Sequence, residues 1–245
     1  AAFTEALAFD RRLAMYDVRQ SLVYARALQK AGVLSAEEVE EISGGLGVIA
    51  EEIDKGTIPW REDLEDVHMN IEARLIEKVG AVGGKLHTGR SRNDQIATDV
   101  RLYLLDACDE IVRRIDRFGG VLVKRAREHI DTILPGYTHT KRAQPVRLAH
   151  HLLAHFERIE RDRSRLLGVR ERADECPLGS GAIAGSAFAI DREALARALG
   201  FSRASRNSMD AVSSRDVVAE LGCACALGQV GLSRLAEEMV LWSSD

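Results

Sequence analysis

The 245-residue chain, 46% apolar and 29% charged, can bury a sizeable core and shows none of the bias of a disordered or fibrous sequence. Its 34 basic and 38 acidic side chains give a net charge of −4, which excludes a general nucleic-acid surface, so any positive charge that matters must be local. No apolar run approaches the ~18–20 residues of a membrane span, and residues 1–12 lack the apolar centre of a signal peptide, so no membrane partner is expected and the cytoplasm is the natural location.

Helical spacing dominates the chain, and no convincing run of alternating strand residues appears. A first helix is predicted over about residues 10–30, stopped at Gly32. Ser35 and Glu38 form a capping box for a second, whose face of Val39, Ile42, Leu46, Ile49 and Ile53 ends near Gly56. A third is predicted over about residues 63–79. These short helices, broken by Gly and Pro, compose a small N-terminal helical domain over residues 1–90. Beyond Arg92, the positions Ile96, Val100, Leu104, Cys108, Ile111, Ile115, Phe118 and Leu122 step by fours and threes. Continued to about residue 130, they describe a helix of ~50 Å at 1.5 Å per residue. One apolar face of that length needs partners. Two are predicted: one carries Leu152, Phe156, Ile159, Leu166 and Val169, the other Val217, Leu221, Cys225, Leu232, Leu235, Met239 and Trp242. The reading is all-α: residues 1–90, then a long-helix bundle over residues 91–245 that looks incomplete where its last helix barely finishes. Cys108, Cys176, Cys223 and Cys225 lack zinc-type pairing and read as small core residues in a reducing compartment.

The stretch His87-Thr-Gly-Arg-Ser-Arg-Asn-Asp-Gln95 runs a cation-rich polar loop straight into the long helix. Neighbouring guanidinium groups repel unless an anion lies between them, and arginine forks suit carboxylates and phosphates. The helix start adds free N–H groups, and Gly89 permits close backbone approach, so this loop reads as a pocket for a small, multiply negative ligand. Between the long helices, Pro135-Gly-Tyr-Thr-His139 continues to Pro145; His139 beside hydroxyls and cations can serve as acid, base or anion donor, or simply cap a rigid corner. Asp66 and His68 stand at a predicted helix start, where acids favour the dipole and need no further role. His151 and His155 share one helix face, but a zinc protease would want a glutamate after the first, and no third ligand stands out; no metal is expected. Gly179-Ser-Gly181 imitates a dinucleotide fingerprint without the preceding strand, and reads as a turn or a loop near a ligand.

Two segments read together resemble the argininosuccinate lyases, whose relatives include the δ-crystallins. They are Gly84-Lys-Leu-His-Thr-Gly-Arg-Ser-Arg-Asn-Asp-Gln95, and Pro135-Gly-Tyr-Thr-His139 with Arg142-Ala-Gln-Pro145. Glu65-Asp-Val-His68, Pro177-Leu-Gly-Ser-Gly-Ala182, Asn207-Ser-Met-Asp210 and Arg215-Asp216 follow in the same order. The resemblance implies a cofactor-free β-elimination of argininosuccinate to arginine and fumarate, in arginine biosynthesis. It implies that Ser91, Arg92 and Asn93 hold substrate carboxylates, and that Thr138 binds beside His139, the catalytic histidine. Asp66 and His68 would shape the pocket, and Asp10 would lie near the amino-acid end of the substrate. It also implies a homotetramer with active sites shared between subunits, which suits loops placed at opposite ends of so long a helix. Ala6 replaces a family serine, and Thr140-Lys141 replace Leu-Gln. The family's mobile serine-bearing loop does not occur in these residues, so the 245 residues alone are expected to be inactive. A non-catalytic relative of the crystallin kind, or another fumarate-producing lyase such as adenylosuccinate lyase, is the alternative.

Overall fold

The computed structural model describes residues 6–244, and its contacts gather into two units, residues 1–103 with 174–214 and residues 104–173 with 215–245. The first unit is helical. It opens with α1 (Leu7–Asp10) and a 3-10 turn (Arg11–Leu13), followed by α2 (Ala14–Lys30), α3 (Ala36–Asp54), α4 (Val67–Val79) and the short α5 (Val82–Lys85). The first turns of α6 (Arg92–Glu128), α8 (Arg192–Leu199) and α9 (Ser208–Ser213) complete it. Local chemistry sets these boundaries. Ser35 and Glu38 make the expected capping box at the start of α3. Asp66 caps α4 by accepting from the Met69 N–H at 2.6 Å, so that helix begins four residues later than its acidic run suggested. Leu28, Ile42, Leu46, Ile49, Leu75 and Leu195 are fully buried where these helices meet. Glu52 joins α3 to α4 by pairing with Arg74 and Lys78.

The second unit holds the rest of α6, a hairpin of β1 (Ile133–Thr138) and β2 (Lys141–Arg147), α7 (Leu148–Ala173) and α10 (Asp216–Trp242). Its core follows the predicted stripes of α6 and α7 and only part of that of α10: Leu122, Ala126, Leu152, Ile159 and Leu235 form one buried cluster, and Cys108, Val112, Leu166, Val169 and Ala224 another, while the expected Leu232, Met239 and Trp242 of α10 are exposed. Ion pairs of Arg163 with Asp116 and Arg170 with Asp109 run beside them.

Four expectations change. Residues 174–214 group with the first unit rather than with the bundle, because Asp94 anchors their leading loop and Arg19 of α2 donates to the Leu199 carbonyl of α8. The connector between α6 and α7 is an antiparallel ribbon; its prolines pair with each other in register and a bulge follows Pro135, which masked the alternation. Cys223 is exposed on α10, while Cys108 and Cys176 are buried as expected. Finally, α10 is long and apolar enough by composition to cross a bilayer, although Glu220 and Arg234 interrupt its apolar run. Val217, Ala224, Gly231 and Leu235 form its buried stripe, Leu221 packs beside it, and Val218, Leu227, Val230, Leu232, Met239, Val240 and Leu241 are exposed.

Candidate functional site

The site grows from the start of α6. Ser91, Arg92 and Asn93 lead into the helix, and Asp94 holds their backbone in place. Its Oδ1 accepts from the Ser91 N–H at 2.9 Å, while Oδ2 accepts from the N–H groups of Gly179 at 3.0 Å and Gly181 at 2.9 Å. One fully buried carboxylate therefore ties the cationic loop to the glycine loop, which the sequence offers as a turn or a loop near a ligand. Burial pushes the Asp94 carboxyl upward, and the three backbone N–H groups and the Arg90 charge pull against it. Asn93 adds a second tie through Nδ2 to the Ala182 carbonyl at 3.1 Å. Gly181, at φ +60°, must be glycine: a Cβ there would stand 2.5 Å from the Gly185 carbonyl oxygen. Gly89, at φ +72°, is as constrained, with Ser186 Oγ at 2.7 Å from the same imagined atom.

Between these loops lies an open hollow of about 500 Å³, lined in part by His87, Ser91, Arg92, Gly181, Ala182 and Ser186. Its wall mixes the cationic Arg92 and the hydroxyls of Ser91 and Ser186 with apolar Ala182, Ala187 and Phe188, and the guanidinium suits an anionic ligand. The two arginines of the motif divide their tasks. Arg90 is buried, donates to Ser21 Oγ at 3.0 Å and lies 5.3 Å over the Tyr24 ring, so it builds the floor. Arg92 is only partly buried; its Nη1 donates to Gln95 at 2.6 Å, and Nη2 and Nε face Glu72 and Asp66 at 3.2 and 3.6 Å. Those carboxylates aim the guanidinium while leaving it beside the hollow. Asp94→Ala should remove the clamp and leave three N–H groups without their acceptor, destabilising the protein by about 2–4 kcal/mol. Urea unfolding would check this, and an unchanged midpoint would deny Asp94 that role.

Beneath the loop is a polar cluster that sequence reading largely missed. His68 Nδ1 meets Asp17 Oδ1 at 3.1 Å and Asp99 Oδ2 at 3.4 Å; Gln95 donates to Asp17, and Gln20 donates to Asp99. All five are buried. Burial alone would raise Asp17, but the charge and hydrogen bond of His68, with Arg90 and Gln95, outweigh it and hold Asp17 at about 2. Burial and the Asp17 charge drive Asp99 the other way, well above the ordinary carboxylate range. A cavity of about 10 Å³, room for one water, is lined by His68, whose Nε2 has no protein partner. His68 thus lies in the support of the loop, not on the wall of the hollow. The signal that could have found this cluster is Asp17, Gln20 and Ser21 at helical spacing on α2, facing Gln95 and Asp99 one turn apart on α6.

Asp66 caps α4 next to Arg92, and Asp10 closes α1, partly buried. Thr138 and His139 belong to the second unit. They stand exposed at the tip of the hairpin, where His139 and Thr140 have φ of 54° and 61°. Both central residues of this two-residue turn are left-handed, a conformation that usually selects Asn or Gly. Holding two side-chain-bearing residues there costs of order 1–3 kcal/mol each, and such strain gathers at working positions. His151 and His155, read as lacking a third ligand, meet Glu238 of α10 instead.

A lyase family model, described simply as "Lyase", matches residues 1–245, the whole chain. The chain belongs to this lyase family. It is 55% identical to an argininosuccinate lyase of Thermus thermophilus over 100% of the chain and 54% of the relative, and 51% identical to that of Symbiobacterium thermophilum over 99% of the chain and 52% of the relative. The chain thus spans about half the length of these curated relatives. Among solved structures, EDDS lyase in complex with formate superposes with a TM-score of 0.87 at 32% identity, over 96% of this chain and 46% of that one. A cobalt-bound fumarate lyase:delta crystallin from Brucella melitensis shares the fold at a TM-score of 0.80 and 20% identity, over 99% of this chain and 58% of that one. The helical architecture and the family membership therefore agree.

Proposed function

We propose that the protein carrying this chain is an argininosuccinate lyase of the cytoplasm, splitting argininosuccinate into arginine and fumarate in arginine synthesis without a cofactor. The observation that carries the reading is the 50–55% identity of the whole chain to proteins of that activity, joined to an open hollow that Arg92 and Ser91 line. In the reaction a base removes a proton from the carbon beside a succinyl carboxylate. The electron pair left behind forms the double bond of fumarate as the carbon–nitrogen bond breaks, and the guanidine nitrogen departs with a proton supplied by an acid. Negative charge builds on the adjacent carboxylate, so preorganised cations and N–H groups accelerate the step. Ser91, Arg92 and Asn93 hold that carboxylate; Asp66 aims Arg92, His68 steadies the loop from below, and Asp10 lies toward the amino-acid end. Thr138 binds substrate beside His139, which serves as acid or as part of the charge pair that tunes the base.

His139 belongs to a different unit from the Arg92 loop, and the reading unites them in a homotetramer whose active sites draw on several subunits. The outward apolar face of α10, with Val218, Val230, Leu232, Val240 and Leu241 exposed, favours such assembly. A groove of about 450 Å³ in the second unit, lined in part by Phe118, Ile159 and Leu232, gives the same support. Light scattering of the intact protein should return a mass of four chains.

The activity is tested by supplying the intact protein with argininosuccinate and, separately, adenylosuccinate, and following fumarate by its ultraviolet absorbance. Fumarate should appear from the first alone. Arg92→Gln should raise KM by roughly tenfold or more, the worth of one charge-assisted carboxylate contact. Fumarate from adenylosuccinate alone, or from neither, would reject the assignment.

A further inference from the structure

Away from the hollow, α7 and α10 present three ligating side chains to one point. His151 Nε2 lies 2.7 Å from Glu238 Oε2, and His155 Nε2 lies 2.6 Å from the same oxygen. All three ligand atoms fall within 4.8 Å of one another. The two imidazoles come from consecutive turns of α7, and the carboxylate comes from the facing helix. We propose that His151, His155 and Glu238 form a binding site for a divalent transition-metal ion of the zinc class, which would clip α7 to α10. The inference does not depend on the lyase reading, since the elimination calls for no metal.

The donor set selects the ion. Two imidazoles and one carboxylate suit zinc and its neighbours, whereas magnesium and calcium take oxygen ligands almost exclusively. The site is sheltered on one side and open on the other: the His155 side chain is 6% exposed, while those of His151 and Glu238 are 28% and 29%. That opening leaves room for water as a fourth ligand. The indole of Trp242 covers His151 at a ring-centre distance of 5.1 Å and limits how far that imidazole can turn.

Without an ion, the glutamate oxygen is held by imidazole N–H groups at hydrogen-bond length. Bonds of ~2.0–2.1 Å to a tetrahedral ion place the ligand atoms roughly 3.3 Å apart, so the glutamate oxygen must draw back from each imidazole nitrogen by about 0.6 Å. Rotation of the long Glu238 side chain supplies that. Each coordinating Nε2 must also give up its proton, either to Nδ1 of the same ring or to solvent. At His155 one residue opposes the change: Arg158 donates through Nη2 to His155 Nδ1, which locks the proton on Nε2. A metal-bound His155 needs the reverse tautomer, with Nδ1–H donating to an acceptor. Arg158 is therefore an antagonist of the site, both through its tautomer preference and through its charge, and metal binding requires it to swing away.

The experiment is a calorimetric titration of the intact protein, stripped with a chelator and then supplied with zinc chloride alone. One ion per chain should bind and raise the melting temperature. His151→Gln and Glu238→Gln should each weaken binding at least tenfold, whereas His150→Gln, an exposed neighbour on the same helix, should leave it unchanged. Arg158→Gln supplies a neutral acceptor for Nδ1–H and should tighten binding by roughly tenfold, within the range known for groups that orient ligands. Magnesium chloride should produce no binding heat. Cobalt(II) provides a spectroscopic check independent of stability: its visible absorption should appear with the wild-type protein and vanish with His151→Gln. Absence of zinc uptake, or uptake equal in the wild type, His151→Gln and Glu238→Gln, would overturn the site and leave the cluster as a hydrogen-bonded contact between helices.

Discussion

His139→Asn in the intact enzyme should lower kcat by roughly 10²–10⁴-fold, the usual worth of a positioned acid or base, while assembly and melting temperature stay unchanged. The geometry of the hairpin tip makes this a clean experiment. His139 is exposed and left-handed at φ 54°, and asparagine tolerates that region better than almost any other side chain. The substitution therefore preserves the turn, keeps a polar group and removes only the imidazole. Steady-state kinetics beside light scattering would read both halves. Turnover close to normal would remove His139 from the chemistry, and lost turnover accompanied by lost assembly would mean that the hairpin serves contact instead.

Asp17→Asn should destabilise the protein by about 3–5 kcal/mol, because it breaks a buried charged contact and leaves His68 facing an amide. Asp99→Asn, one helix away, should be neutral or stabilising at pH 7. The two carboxylates differ in sign. Asp17 is held at about 2, below the ordinary 3.8, so its contribution is full above pH 4 and is lost as pH falls toward 2. Asp99 is raised; its contribution is full below pH 4 and is lost as pH climbs through its elevated value, so at neutral pH a group that needs no ionisation is the better occupant. Asparagine imitates the protonated form and keeps an oxygen for Gln20. Urea melts at pH 7 and in acid would test the pair. Equal losses from the two substitutions would mean that the carboxylates share their charge rather than dividing it.

The helical class, the capping box at Ser35, the stripes along α6 and α7, and the cationic loop at Arg92 were legible because each depends on neighbours within a few turns of chain; on α10, where nearly every side is apolar, the spacing could not tell the dry face from the outward one, and Leu232, Met239 and Trp242 are exposed. Periodicity records which face is dry, and a loop crowded with guanidinium groups records its appetite for anions. The hairpin was not legible: Pro135 and Pro145 argue against strands unless they face each other across an isolated ribbon, and that pairing is a fact of register. Nor was the grouping of residues 174–214 with the first unit, since the bond from Asp94 to Gly179 and Gly181 spans more than eighty residues. The two arginines of the motif look equivalent in sequence. Only folding turns Arg90 inward onto Tyr24 and leaves Arg92 at the hollow, because burial is decided by what packs above a residue and not by its identity. The same holds for His151 and His155. Their spacing set them on one face, but the carboxylate that completes the cluster arrives from a helix more than eighty residues away, and only packing could bring it there.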